Sequence, residues 1–362
     1  MFDIYMFQKI STRLFLMLGL ILFFNSCRCQ PEGQKPTSDS QSQVNLFIWS
    51  DFTSPEVLVE FKKQTGITVN ESNFSSDEEL LAKLQAGASG YDVIIPSDYM
   101  TAVMIKLNLL QKIDANLIPN SKDILPELLN LEFDPGNIYT LPYSWAITGL
   151  AYSSEVFKTP ITGWKDLFSR PEAKDRVSLL DDIRETLGMV LIKNGQSIDS
   201  VDPAVIEQAK HELISLKSMV KTYNSTPLQS LLSGEVAAAQ IYSNDAFLAR
   251  QKSGNKIDFI FPSEGALIGI DNFAIPVSAR NKDGAIRLIN FLLSKTAHVQ
   301  FVNRMYAGPV LSGIDDVLSP EMKANPILTD FKSLYKKSVM KHDLGEGIKL
   351  YDHAWTEVKA SR

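Results

Sequence analysis

The sequence predicts an α/β fold in which mainly parallel β-sheets are flanked by α-helices. Between residues 44 and 95, short apolar runs of strand length alternate with amphipathic runs of helix length, the order expected of a parallel sheet covered by helices. The same alternation resumes between residues 164 and 292. The roughly 335 residues that follow an unusual N-terminal segment suffice for one large domain or two medium ones.

The first block reads strand, helix, strand, helix, strand. Ser54 and Pro55 are typical of a helix start, because the hydroxyl caps free N–H groups and proline fits the first turn. Gly66 is typical of a helix end. Two overlapping Ser-x-x-Glu patterns within residues 75–79 predict a capping box at the next helix. The predicted strands are residues 44–49, 67–69 and 91–95.

The second block repeats the alternation. Its predicted helices are residues 164–168, a helix from Asp182, residues 246–251 and a helix from Asn281; its predicted strands are residues 177–180, 236–242 and 273–275. In open parallel sheets, ligands bind beyond the carboxyl ends of the strands. The residues that follow each strand are therefore the first candidates for a functional site.

The N-terminal segment indicates export. Lys9 and Arg13 precede an apolar stretch at residues 14–24, which is shorter than the roughly 20 residues of a membrane span. A small residue and Cys27 follow. We therefore predict a signal peptide at residues 1–26, with Cys27 as a lipidated N-terminus. The alternative is an ordinary cleaved signal with two incidental cysteines.

Residues 27–43 are predicted to be a polar tether, because residues 30–43 contain no large apolar side chain. The expected location is periplasmic or otherwise extracytoplasmic, as a membrane-anchored lipoprotein. Both cysteines, Cys27 and Cys29, lie in this N-terminal part. The folded part is therefore expected to have no disulfide and no thiol nucleophile.

Charge and histidine content narrow the function classes further. The formal net charge is −6, and the first 27 residues contain two bases and one acid, so the remainder has a net charge near −7. Such mild acidity disfavours a nucleic-acid partner and suits a cationic ligand. Mild acidity that only aids solubility is the alternative. None of the four histidines stands at metal-ligand spacing, so no cofactor and no metal is predicted. They are His211, His298, His342 and His353.

Five dispersed segments near strand ends share one chemistry, in which aromatic rings alternate with carboxylates. They are residues 49–52, 97–99, 181–185, 242–245 and 269–271. Aromatic faces attract ammonium groups, and carboxylates pair with their charge. The segments therefore favour an organic cation as ligand. No Ser-His-Asp set, nucleophile elbow or phosphate loop is present in them.

Each segment also has a purely structural interpretation. Asp182 and Glu185 stand at the spacing of a helix capping box. Trp49 suits a hydrophobic core, and Asp181 and Asp245 suit helix caps or solvated positions. Singly, these interpretations hold at least as well as a binding role, and only the repetition of one chemistry favours a site.

At these residues the chain resembles a known family, the extracytoplasmic solute-binding proteins of polyamine ABC transporters, of the spermidine/putrescine type. The resemblance covers nearly all of residues 44–362. Its clearest segments are residues 46–52, 60–67, 91–99, 164–167, 180–185 and 271–293. It implies a monomeric receptor, not an enzyme, that binds spermidine or putrescine and delivers it to an ABC permease.

The resemblance also implies a two-lobed periplasmic-binding-protein fold of the type II-like kind. Each lobe is a mainly parallel sheet flanked by helices, and two crossovers between the lobes act as the hinge. The expected first lobe comprises residues 44–148 and 271–316, and the second comprises residues 149–270 and 317–362. The ligand is expected in the cleft between them, where closure signals the permease.

Matching the family's ligand positions one by one implies a set of binding residues here. Phe52 stands where the family has a tyrosine, and Tyr242 stands where it has a tryptophan. Asp182 and Glu185 on one lobe and Asp271 on the other could pair amines at both ends of an extended ligand, each charge-assisted bond returning roughly 1.5–3 kcal/mol. The implied residues are Trp49, Ser50, Asp51, Phe52, Ser97, Tyr99, Asp182, Glu185, Tyr242, Asp271, Tyr306 and Lys341.

Two positions depart from the family. Gly269 replaces a second tryptophan of the aromatic wall, and Lys341 aligns with a glutamine that receives a terminal amine. A lysine about 4 Å from a ligand ammonium costs roughly 4 kcal/mol at an effective dielectric of 20. Lys341 could instead pair with Glu185 and stand in for one amine, favouring a shorter diamine. The third alternative is a mobile lysine on the surface.

Three other functions remain open at this point. The first is a receptor for another organic cation or a small peptide, prompted by Gly269 and Lys341. The second is a secreted hydrolase using Asp182 and Glu185, although carboxylates three residues apart on a helix lie on one side of a substrate. The third is a metal-binding receptor that uses Asp181 with those two carboxylates.

Overall fold

The computed structural model describes residues 42–50, 52–87 and 89–361. The predicted signal peptide, the lipidation at Cys27, nearly all of the tether and the predicted site residue Asp51 lie outside the described residues. The first strand begins at Gln43, the residue predicted to end the tether. Within the described ranges, no helix combines the length and the apolar character needed to cross a membrane.

The described strands join into one sheet. The strands are β1 (Gln43–Trp49), β2 (Thr68–Phe74), β3 (Val93–Ile94), β4 (Thr140–Ser153), β5 (Val177–Leu179), β6 (Val220–Tyr223), β7 (Ala238–Tyr242), β8 (Ile257–Ile260), β9 (Ala266–Ala274) and β10 (Ser338–Val339). The strand order is β2-β1-β3-β9-β4-β7-β5-β6, with β10 beside β9 and β8 beside β4.

Helices cover both faces of this sheet. The α-helices among the described residues are α1 (Pro55–Thr65), α2 (Asp77–Gln85), α3 (Asp98–Lys106), α4 (Trp164–Ser169), α5 (Ile183–Lys193), α6 (Pro203–Ser215), α7 (Leu228–Leu232), α8 (Ser243–Lys252), α9 (Lys282–Leu292), α10 (Lys295–Met305), α11 (Pro320–Lys323), α12 (Pro326–Thr329), α13 (Phe331–Tyr335) and α14 (Ile348–Ala360). Short 3₁₀ turns lie at Ala115–Leu117, Pro119–Asp123, Pro126–Leu128, Pro171–Ala173, Leu216–Ser218, Asp315–Val317 and Gly345–Gly347.

The sheet consists of two parallel blocks joined by two antiparallel strands. β1 pairs in parallel with β2 and β3, and β5 pairs in parallel with β6 and β7. Between the blocks, β9 and β4 run antiparallel to each other and to their outer neighbours β3 and β7. The predicted α/β class with mainly parallel blocks is confirmed.

Local signals placed several helices correctly. Gly66 ends α1 in the left-handed region at φ 75°, where its N–H donates to the Lys62 carbonyl over 2.8 Å. The capping box begins α2, since Ser76 Oγ accepts from the Glu79 N–H over 3.1 Å. The Glu79 carboxylate in turn accepts from the N–H of Ser75 over 3.0 Å. These bonds satisfy N–H groups that a helix start leaves free.

Two strand predictions need correction, and one long strand was not predicted. The strand predicted at residues 67–69 continues to Phe74, because β2 is an edge strand whose polar residues face solvent. The strand predicted at residues 273–275 begins at Ala266, so Asp271 lies inside β9 and not before it. The long strand β4 was not predicted, because it is buried along nearly its whole length and shows no polar alternation.

The hydrophobic core differs between the two faces of the sheet. One face carries a single cluster that spans both blocks and includes Trp145 and Phe273. The other face carries two separate clusters. Phe47 and Phe74 belong to the one against the first block, and Trp164 to the one against the second. On this second face, Tyr99 packs on the first of the two clusters, and Ile183, beside Asp182, packs on the second.

Candidate ligand-binding site

Asp271 of β9 is placed by its pairing with β4. It lies opposite Ser144, whose hydroxyl donates to Asp271 Oδ2 over 3.1 Å. Burial raises the pKa of this carboxyl to about 7, and the charges of Asp77 and Asp98 add to the rise, while the bond from Ser144 opposes it. The carboxylate is therefore short of compensating positive charge.

Two further buried acids surround Asp271. Asp77, the first residue of α2, accepts from Ser97 Oγ over 2.5 Å and from the Ser97 N–H over 3.2 Å. Ser97 itself forms a backbone bridge with Asp271. Burial raises the pKa of Asp77 to about 7 despite these bonds. Asp98 accepts from the backbone N–H groups of Tyr99 and Ile270 over 2.7 and 3.1 Å.

Burial raises the pKa of Asp98 to about 6, an effect that the charge of Lys341 partly opposes. Asp77, Asp98 and Asp271 thus form one group, called here the acidic trio. Neither Asp77 nor Asp98 was among the predicted site residues. An acid in the first turn of a helix is common for dipole reasons alone, and the contact of Asp77 with Ser97 spans 20 residues.

A second charged group lies at the start of α5. Asp182 caps the helix, because its Oδ1 accepts from the N–H groups of Arg184 and Glu185 over 2.8 and 3.0 Å. Glu185, one turn into the helix, places Oε1 2.6 Å from Lys341 Nζ. The Glu185 and Lys341 side chains are only 3% and 8% exposed. Lys341 on the surface, one of the three alternatives, is therefore wrong.

Electrostatics favour the charged form of Lys341. Burial lowers the pKa of Lys341, but the carboxylates of Glu185, Asp182 and Asp98 outweigh it and leave that pKa above its ordinary value. Glu185 Oε2 is buried without a hydrogen-bond partner among the described residues. One oxygen of this carboxylate is thus paired, and the other is available to a donor.

Aromatic side chains lie against both groups. The Tyr99 ring centroid is 5.3 Å from Lys341 Nζ, within cation–π range. Tyr242, at the end of β7, has a pKa raised well above its ordinary value, first by burial and then by charges that include Glu185 and Asp271. Tyr242 therefore lies within electrostatic reach of both groups. The indole N–H of Trp49 is buried and unpartnered in the described part of the chain, close to Asp271.

Three predicted residues have their described contacts elsewhere. Ser50 is exposed and donates to the Phe74 carbonyl over 3.4 Å. The Phe52 ring packs edge-on against Tyr143 at 5.8 Å, in the core. Tyr306 is buried at the left-handed end of α10, and its pKa is raised by burial and by the charge of Glu321. A ligand role for these three stays a prediction.

Arg184 is a buried residue that the sequence did not single out. Its guanidinium bonds Asp199 Oδ1 over 2.6 Å and the His342 carbonyl over 3.0 Å. It also lies over the rings of Tyr99 and Tyr351, at 5.9 and 5.4 Å. Arg184 thereby fixes the segment that carries Lys341 against α5. A buried arginine beside two acids has no sequence signal, because its partners are distant in the chain.

The geometry weakens the hydrolase alternative. Asp182 caps a helix and Glu185 is bonded to a buried lysine, so the two carboxylates do not form an acid–base pair around a substrate. In the described ranges, no group of three or more His, Cys, Asp or Glu side chains has an arrangement that could hold a metal ion.

Comparison with known proteins gives the family. The family model of bacterial extracellular solute-binding proteins matches residues 56–330. The chain belongs to this family. The spermidine/putrescine-binding periplasmic protein of Escherichia coli is 36% identical to it over 329 residues, covering 90% of this chain and 94% of the relative.

Solved structures agree with the two-lobed fold of the family. A putative spermidine/putrescine ABC transporter protein from Listeria monocytogenes has a TM-score of 0.83 at 27% identity, covering 89% of this chain and all of that one. A lipoprotein of Treponema pallidum has a TM-score of 0.81 at 26% identity, covering 87% of this chain and 99% of its own. The two-lobed expectation is confirmed.

Proposed function

We propose that the protein is an extracytoplasmic polyamine receptor that binds spermidine or putrescine and delivers it to an ABC permease, without being an enzyme. The observation that carries the proposal is the acidic trio, Asp77, Asp98 and Asp271. Burial raises the pKa of all three carboxyls, and the charges of Asp77 and Asp98 add to the rise at Asp271, so a positive charge beside Asp271 stabilises its ionised form. A ligand ammonium supplies that charge.

The second charged group suits the other end of an extended diamine or triamine. Glu185 Oε2 has no partner, and the described contacts of Asp182 engage only its Oδ1. Tyr242 is within reach of both groups, so its ring suits the methylenes that join two ammonium groups. We assign ligand contacts to the residues implied by the family resemblance, Trp49, Ser50, Asp51, Phe52, Ser97, Tyr99, Asp182, Glu185, Tyr242, Asp271, Tyr306 and Lys341.

We further propose the lobes as residues 44–148 with 271–316, and residues 149–270 with 317–362. Strand β4 crosses the boundary at residues 148/149 and β9 crosses the one at residues 270/271, so the two strands suit a two-stranded hinge. Side chains of the proposed lobes meet where Lys106 Nζ lies 2.6 Å from Asp343 Oδ2. A ligand bound to both lobes favours the closed form, because it gains contacts there that the open form lacks.

Residues 1–26 are proposed as a signal peptide and Cys27 as the lipid attachment site of a monomeric receptor. A tether such as residues 27–43 keeps the domain within about 20 Å of its anchor and raises its effective concentration at the permease. The Treponema pallidum relative is itself a lipoprotein. Labelling of the expressed protein with a fatty-acid probe tests the anchor, and Cys27→Ser should abolish the label.

The polyamine proposal is tested by thermal shift after unfolding and refolding to remove carried-over ligand. Putrescine or spermidine should raise the melting temperature, while amino acids and divalent metals should not. Asp271→Asn should lose this stabilisation and keep the fold. Asp258→Asn, which removes a carboxylate paired with Arg250 on β8, is the matched control. If no polyamine stabilises the wild type at millimolar concentration, the proposal is wrong.

A second candidate is a receptor for a bulkier organic cation, favoured by Gly269 of β9. A Cβ placed on Gly269 would meet no heavy atom within 4 Å. This open space lies two residues from Asp271 on the same strand. Quaternary ammonium compounds therefore belong in the same thermal-shift panel, and their stabilising the protein more than any polyamine would favour this candidate.

A further inference from the structure

Lys341 is held in place from several directions. It follows β10, and its neighbour His342 has its carbonyl bonded by Arg184 over 3.0 Å. The His342 N–H donates to Asp199 Oδ1 over 3.1 Å, and its ring Nδ1 lies 2.6 Å from Asp199 Oδ2. The backbone at Lys341 is therefore anchored to α5 and the loop after it. These bonds fix the backbone from which the Lys341 side chain extends toward Glu185.

The Lys341 ammonium has the surroundings expected of a bound amine. It pairs with the Glu185 carboxylate at 2.6 Å and lies 5.3 Å from the Tyr99 ring centroid. Asp98 and Asp182 are close enough to act on its charge. A carboxylate on one side and an aromatic face on the other are the features that select ammonium groups.

We infer that Lys341 occupies one amine position of the cleft with its own ammonium, so that the receptor selects a diamine over a triamine. The inference rests on the proposed polyamine function and specifies its substrate class. With Lys341 in place, two acceptors remain for the ligand: the partner-free carboxylate oxygen of Glu185, and Asp271, whose described contacts include no cation. Two ammonium groups match these two acceptors.

A third ammonium meets one of two obstacles. It can displace Lys341 from Glu185, which leaves a buried lysine without its partner. It can instead lie beside Lys341, where like charges about 4 Å apart in an effective dielectric near 20 weaken binding by up to about 1000-fold. Solvent and side-chain movement reduce this effect, and we expect a preference of about tenfold or more.

Isothermal titration calorimetry of the refolded protein with putrescine, cadaverine and spermidine tests the inference. Wild type should bind a diamine at least about tenfold more tightly than spermidine, a difference of about 1.4 kcal/mol. Lys341→Gln should tighten spermidine binding by about tenfold and thereby reduce or reverse the preference. Lys210→Gln is the control, because Lys210 is equally buried and paired with Glu357 outside the cleft; its preference should equal that of wild type.

The outcomes separate the two proposals. If wild type binds spermidine as tightly as putrescine and Lys341→Gln changes neither, the inference is wrong and the polyamine function stands. If neither wild type nor variant binds any polyamine, the polyamine function itself is wrong. Should Lys341→Gln not fold, Lys341→Met and the wild-type preference among the three ligands still decide.

Discussion

The raised pKa values of the acidic trio predict that polyamine affinity falls steeply as the pH drops from 8 to 5.5. With a pKa of about 7, Asp271 is ionised in about 90% of molecules at pH 8 and in about 3% at pH 5.5. A ligand that requires this one carboxylate in its charged form therefore binds about 30-fold more weakly at pH 5.5. If Asp77 must also ionise, the loss is larger, because its pKa is also about 7.

The ligand does not contribute to this change. Alkyl amines titrate near 10, so the ammonium groups stay charged over the whole range. Binding should therefore release protons near pH 6.5, because the ligand lowers the pKa of the carboxyls that it contacts. The release is measured by calorimetry in two buffers of different ionisation enthalpy, and the affinity is measured by the same titrations between pH 5.5 and 8.

Asp271→Asn separates this mechanism from a general effect of pH. The variant should bind weakly at pH 8 and show a flatter pH profile, because the asparagine cannot titrate. Asp258→Asn should keep the wild-type profile. An affinity that stays constant between pH 8 and 5.5, with no proton release, would refute the assignment of the acidic trio to ligand binding.

Two further predictions concern stability. Asp77 has a pKa of about 7 in the folded state, against 3.8 in an unfolded chain. Between these pH values the folded state binds a proton that the unfolded chain has lost, so wild-type stability falls as the pH rises. The free energy of unfolding of Asp77→Asn, measured with urea, should therefore rise relative to wild type by up to about 4 kcal/mol between pH 4 and pH 7.5. An unchanged difference would contradict this. Glu185→Gln should destabilise the ligand-free protein by about 3–5 kcal/mol, because it leaves the buried Lys341 charge without its partner. Adding Lys341→Gln should restore much of this stability. Additive effects in this double-mutant cycle would show that the two residues are not coupled.

Much of the fold could be predicted because its signals are local. Capping residues such as Ser76 and Asp182 and the helix end at Gly66 act within one turn of the chain, and each is found where the sequence placed it. The strand β4 could not be predicted, since neighbours bury both of its faces and remove the alternation that marks a half-buried strand. It also contains Pro142 and Gly149, which argue against a central strand when neighbours are unknown.

The candidate site likewise contains residues with a local sequence signal and contacts between residues that are distant in the chain. Ser97 and Asp182 follow strands and Tyr242 ends one, and the rule for parallel sheets was enough to select them. The partner of Lys341 could only be posed as an alternative, because Glu185 lies 156 residues away. Asp77 gave no signal at all, since an acid in the first turn of a helix has a sufficient local explanation. Charge pairing across the fold is the part of the site that a single sequence does not reveal.

The carboxylates of Glu185 and Asp271 differ in whether a cation of the protein already neutralises them. At the α5 end, Lys341 supplies a cation within 2.6 Å of Glu185, so a ligand there replaces or adds to an existing ion pair. At the β9 end, the described contacts of Asp271 include one hydroxyl donor and no cation, and its raised pKa records the deficit. An arriving ammonium therefore gains more free energy beside Asp271 than beside Glu185, because it relieves repulsion that the folded protein otherwise retains. In the proposed site, we therefore expect the deficit at Asp271 to drive binding and Lys341 to limit how many charges the ligand can bring.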